Sequence, residues 1–96
     1  MRDLEEIKRT ISTQKPVLAE RFKVKEIGIF GSYIRGEQEE LSDVDILVEF
    51  SEPIGWEFVD LLAYLEDMLS LKVDLVTPNA LKPQIKERIL EEVAYV

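Results

Sequence analysis

Apolar positions along this chain change their spacing several times, and each change marks an element. Leu4, Ile7 and Ile11 recur three and four apart, which predicts an opening amphipathic helix. Pro16 starts or kinks a second helical piece that carries Val17, Leu18 and Phe22. The stretch "VKEIGIF" is β-branched and aromatic and predicts a short buried strand ending at Gly31. "SYIRGE" is too short and mixed for a strand and is read as one helical turn closed by Gly36, with "QEEL" as a solvated loop after it. From Ser42 to Phe50 the alternation is strict: Val44, Ile46, Val48 and Phe50 on one face, Asp43, Asp45, Leu47 and Glu49 on the other.

After the turn-like "SEPIG", Trp56 to Ser70 predicts a helix with Phe58, Leu61, Leu62, Leu65, Met68 and Leu69 as its inward stripe. "LKVDLVT" reads as a third strand, apolar enough on both sides of Asp74 to be interior, and is closed by Pro78 and Asn79. Leu81, Ile85, Ile89 and Val93 mark a final helix. The order α, β, β, α, β, α predicts an α+β fold, a small mixed β-sheet flanked by helices.

Composition narrows the chemistry. The 96 residues suit one domain over 1–96, with no repeat or linker to divide it. Without cysteine there is no disulfide framework and no thiolate metal site. Without histidine, Ser-His-Asp hydrolysis and His-ligated zinc are excluded, so a general base must be Asp, Glu, Lys or Tyr. A net charge of −8 argues against sequence-independent nucleic-acid binding, and no direct nucleic-acid contact is expected. The charged N-terminus "MRDLEEIKRT" is unlike a signal peptide, and no apolar run approaches the roughly 20 residues of a membrane span. A cytoplasmic protein is expected.

Asp43 and Asp45 are the feature this composition leaves to explain. At strand spacing their Cα atoms lie ~6.6 Å apart with side chains pointing the same way. Paired metal ions in phosphoryl-transfer sites stand ~3.5–4 Å apart, so such a pair can hold ions between its carboxylates. Asp74, inside "KVDLV", is costly in a strand unless it is paired. If its strand lies beside the Asp-x-Asp strand, three acids meet in one cleft, where Mg²⁺ would relieve their repulsion. Gly31 lets a phosphate approach the backbone, and Ser32 can cap the turn that follows and offer a hydroxyl. Arg35 suits either a phosphate contact or a surface ion pair, while Tyr33, Trp56 and Tyr64 are read as packing residues. Each of these features alone is ordinary. Their combination is not.

The stretch "GSYIRGEQEELSDVDILVEF" resembles the nucleotidyltransferase signature of the DNA polymerase β-like superfamily: Gly-Ser, about ten residues, Asp-x-Asp, then a third acid on a later strand. Ten residues separate Ser32 from Asp43, and Asp74 stands where the third acid is expected. The wording and short length look like the minimal nucleotidyltransferase (MNT) group, over roughly Lys25 to the final helix.

The resemblance implies the polymerase β-like palm fold, Mg²⁺ (two ions), ATP as substrate and pyrophosphate as product. It implies Asp43, Asp45 and Asp74 as catalytic metal ligands, Asp74 also helping to deprotonate the attacking hydroxyl, and Gly31 and Ser32 on the β- and γ-phosphates. It further implies an antitoxin that transfers AMP to a tyrosine of a HEPN-domain ribonuclease toxin, a partner that would complete the acceptor side in a homo- or hetero-oligomer. Two other readings stand beside it: a non-catalytic antitoxin that masks its partner's surface, and a regulatory domain that binds metal or nucleotide without turnover.

Overall fold

Asp3 opens the first helix by accepting the Glu6 N–H on its carboxylate at 2.8 Å, so helix α1 runs Leu4–Thr13. A computed structural model describes residues 3–39 and 42–96. Of the predicted "QEEL" loop, Glu40 and Leu41 lie outside the described residues. Pro16 falls in the first turn of α2 (Lys15–Phe22), where its missing N–H costs nothing. It starts a helix rather than kinking one.

Strand β1 (Val24–Phe30) follows, then the single turn α3 (Ser32–Arg35), closed by Gly36 in the left-handed conformation. Strand β2 covers Val44–Phe50, leaving Ser42 and Asp43 just outside it. Helix α4 covers Glu57–Leu69 and β3 Val73–Val76. A short 3₁₀ turn (Pro78–Ala80) leads to α5 (Pro83–Glu92), and the two-residue strand β4 (Ala94–Tyr95) ends the order.

The sheet order is β3-β2-β1-β4. β1 runs antiparallel to both β2 and β4, and β2 runs parallel to β3 through the α4 crossover. One face of the sheet packs Ile27, Ile29, Val44, Ile46, Val48, Val73 and Leu75 against Ile7, Ile11, Leu18, Leu61, Leu65 and Leu69 of the first, second and fourth helices. The other face has a smaller core of Phe30, Leu47 and Ile89, edged by Val76, Leu81 and Val93, under α5 alone. Because α5 covers only part of that second face, the polar residues that alternate with the core remain open to a cleft.

Three expectations need correction. β3 is an edge strand, not an interior one, so Asp74 is exposed and its placement costs far less than burial would. Trp56 does not pack: it caps α4 and stands 82% exposed, because the helix turns inward only after it. A fourth strand was not expected, since two residues carry no periodicity. Gly28 makes room for it, because any Cβ there would press on Val93 and the Ala94 carbonyl.

Candidate active site

β2 and β3 bring the acids together by register. In the parallel ladder Asp45 lies directly beside Asp74, and on its other side Asp45 is paired with Phe30 of β1. Two contacts hold β3 in that register: Val44 N–H donates to the Lys72 carbonyl at 2.9 Å, and the Glu66 carboxylate of α4 accepts the Val73 N–H at 3.0 Å. Burial first, then the Asp74 charge and the hydrogen bond that a protonated Asp45 can make to the Asp74 carboxylate, push the Asp45 carboxyl up to about 6, with a further push from Asp43.

Asp43 is exposed and precedes the strand, next to Ser42, whose N–H donates to the Glu39 carbonyl at 3.0 Å. Among the described residues no group of three or more acids is gathered closely enough to hold a metal ion as it stands. The structure joins Asp45 to Asp74 and leaves Asp43 at electrostatic range. Oxygen donors on adjacent strands, crowded enough to raise a pKa, still form the donor set that a hard divalent cation relieves.

Gly31 takes φ = 77° and caps α3, its carbonyl accepting the Ile34 and Arg35 N–H groups, both at 3.1 Å. A Cβ at Gly31 would collide with the Asp45 carboxylate, so glycine is required both for its conformation and for the acid beneath it. This corrects the expected role of Ser32: Gly31 is the cap, and Ser32 is the first helical residue and makes no capping bond. Of the two roles the sequence left open for Arg35, the structure shows the ion pair, at 2.7 Å to Glu37 and 2.7 Å to Glu92. The same guanidinium lines a cleft of about 310 Å³ with Gly31, Asp45 and Phe30 on one side and Ile85, Arg88, Ile89 and Glu92 of α5 on the other.

Glu92 was not singled out from the sequence. Its carboxylate accepts the Gly31 N–H at 2.9 Å and the Arg35 guanidinium at 2.7 Å. Burial pushes its carboxyl up, but the Gly31 N–H and the charges of Arg35 and Arg88 more than reverse this and hold it below the usual carboxylate range. Helical spacing could have found it: Ile85, Arg88, Ile89 and Glu92 are at i, i+3, i+4 and i+7, one face of α5. A wider hollow of about 570 Å³ lies at the far end of β2, by Lys25, Glu49, Phe50 and Pro78. It is lined by none of Asp43, Asp45, Asp74 or Gly31, whereas the smaller cleft is lined by Gly31, Arg35 and Asp45, with Asp43, Asp74 and Ser32 outside its lining.

Gly31 stands directly over the Asp45 carboxylate, and Asp45 is the register partner of Asp74. The family model for the nucleotidyltransferase domain matches residues 11–96. The chain belongs to the nucleotidyltransferase domain family. It is 53% identical over 97 residues to the protein adenylyltransferase MntA of Thermococcus cleftensis, covering 100% of this chain and 98% of that relative.

A solved structure provisionally described as a minimal nucleotidyltransferase superposes with a TM-score of 0.82 at 34% identity, covering 97% of this chain and 95% of that one. A toxin–antitoxin complex with AMP-PNP gives 0.72 at 24% identity, over 92% of this chain and 70% of that one, and so supports the fold. A tri-AMPylated Shewanella oneidensis HEPN toxin in complex with an MNT antitoxin gives 0.64 at 20%, over 92% and 70%, and does the same. This nucleotidyltransferase therefore has the mixed-sheet fold that its motif resemblance implied.

Proposed function

We propose that this nucleotidyltransferase is an antitoxin enzyme that transfers AMP from ATP to a tyrosine hydroxyl of a HEPN-type ribonuclease partner. The observation that carries the reading is the register pair of Asp45 and Asp74, with Asp45 beneath Gly31. The 53% identical relative is a protein adenylyltransferase, which supports protein adenylylation. The similar fold found beside a tri-AMPylated HEPN toxin supports the partner class.

In this reading Gly31 and Ser32 take the β- and γ-phosphates, and Arg35 adds a charge-assisted donor. Asp43, Asp45 and Asp74 would hold magnesium, which would supply charge neutralisation at the phosphates. Asp74, at the open sheet edge, receives the proton of the attacking hydroxyl. The hydroxyl oxygen forms a bond to the α-phosphorus, the α–β phosphoanhydride bond breaks, and pyrophosphate leaves. The acceptor comes from another chain, and Asp74 lies on the edge strand where one can approach.

Mixing the protein with ATP, Mg²⁺ and the HEPN-type product of an adjacent gene should add the mass of AMP to a partner tyrosine. An α,β-methylene ATP analogue should abolish the addition. An unmodified partner under conditions where the two proteins co-purify would contradict the proposal. It would favour masking of the partner's surface, for which the net charge of −8 is suited if that surface is basic.

A further inference from the structure

The chain places one of its own carboxylates where an anion would be received. Glu92 is 61 residues from Gly31 and 57 from Arg35, yet one of its oxygens accepts from each, at 2.9 and 2.7 Å. A backbone N–H at a glycine turn together with a guanidinium is a donor pair suited to a phosphate group. We propose that Glu92 is an internal stand-in for a nucleotide phosphate, occupying the Gly31 N–H and Arg35 until a triphosphate displaces it, and that it thereby sets the nucleotide affinity of the cleft. The inference rests on the reading above that Gly31 and Arg35 receive phosphates.

Three features make the carboxylate displaceable rather than fixed. It belongs to the last turn of α5, and that turn has no basic residue of its own, so the helix dipole opposes its charge and leaves Arg35, Arg88 and the Gly31 N–H to hold it. Its ion-pair partner is half exposed, at 49%, where a single pair contributes little. Glu37 holds the Arg35 Nε from the other side at 2.7 Å, so the guanidinium keeps its place when Glu92 departs.

The motion required is small. Val93, Ala94 and Tyr95 press against β1 at Gly28, and Val96 N–H donates to the Ile27 carbonyl at 2.9 Å. The backbone after Glu92 is therefore anchored, and a side-chain rotation frees the site. Departure also removes one negative charge from a cleft that already contains Asp45. Apparent affinity is then the intrinsic affinity reduced by the fraction of molecules with Glu92 withdrawn.

The test is calorimetric titration of the full chain with Mg²⁺ and a non-hydrolysable ATP analogue. Glu92→Gln should bind about three- to tenfold more tightly than wild type, by loss of an occupant held by a partly exposed ion pair. Glu92→Asp keeps the charge but shortens the reach, and should also bind more tightly. Glu37→Gln removes an equal charge from the same arginine but keeps a side-chain oxygen to accept from its Nε, and, without touching Gly31, should change affinity by less than about twofold.

Unchanged or weaker binding by both Glu92 variants, or equal tightening by Glu37→Gln, overturns the inference while wild-type binding keeps the phosphate reading intact. Binding by neither wild type nor any variant removes both. Thermal unfolding of each variant identifies any that fails to fold, and the remaining Glu92 variant then decides.

Discussion

Asp45 is destabilised by the company it keeps. Its carboxyl is pushed up to about 6 by burial and by Asp74, against 3.8 when free of the fold. Below the unfolded value the group is protonated in both states and costs nothing. As pH rises from about 4 through about 6 the folded state is charged against its preference, so stability is lost across that window and stays lost above it. Asp45→Asn removes the penalty. Because Asp45 is only partly buried, the gain at pH 8 should be on the order of 1 kcal/mol after solvent screening, a rise in melting temperature of about 4–8 °C. The advantage should vanish near pH 4, as read by thermal unfolding of the two proteins side by side. A variant no more stable than wild type at pH 8 would mean the two acids do not crowd each other.

Gly31→Ala tests the residue above it: the positive φ and the Asp45 carboxylate beneath should together cost about 1–3 kcal/mol in urea unfolding.

Elements were legible wherever period and length agreed. The stripe Leu61, Leu65 and Leu69 has the 3.6-residue repeat of α4, and the alternation from Val44 to Phe50 has the two-residue repeat of β2. The Gly-Ser and Asp-x-Asp spacing marked Gly31 and Asp45, which the fold stacks one over the other. What sequence could not give was lateral order. Apolar neighbours on both sides of Asp74 read as an interior strand, although α4 covers one face of β3 and the flanking edge is open. Helical spacing puts Glu92 on the same face of α5 as Ile85 and Ile89, but which residues that face meets is set by the path of α5, so its contacts to residues 31 and 35 stayed hidden. β4 rests on the missing side chain at Gly28. Gly28→Val should therefore detach the C-terminal strand, at about 1–3 kcal/mol. Loss of hydrogen-exchange protection at the Val96 amide, with the α4 amides unchanged, would verify it.

At the scale of the whole molecule, the architecture divides labour between the two sheet faces. The broad core under three helices carries stability, and the sparsely covered face under α5 leaves an open cleft. Among the described residues no helix is long and apolar enough to cross a membrane. A chain with a −8 charge and acids paired across adjacent strands should gain stability from divalent cations. Magnesium at about 100 times its dissociation constant should add about 2.7 kcal/mol to wild type and little to an Asp45→Asn, Asp74→Asn double variant.

The most direct measurement is transfer of label from α-phosphate-labelled ATP to the HEPN-type partner, by wild type and by Asp45→Asn, in samples whose unfolding curves show both to be folded. Wild type should label the partner, and the variant, though more stable at neutral pH, should do so at least about a hundredfold more slowly. Equal labelling by the two proteins would contradict a catalytic role for the Asp45 carboxylate that lies beside Asp74 and beneath Gly31.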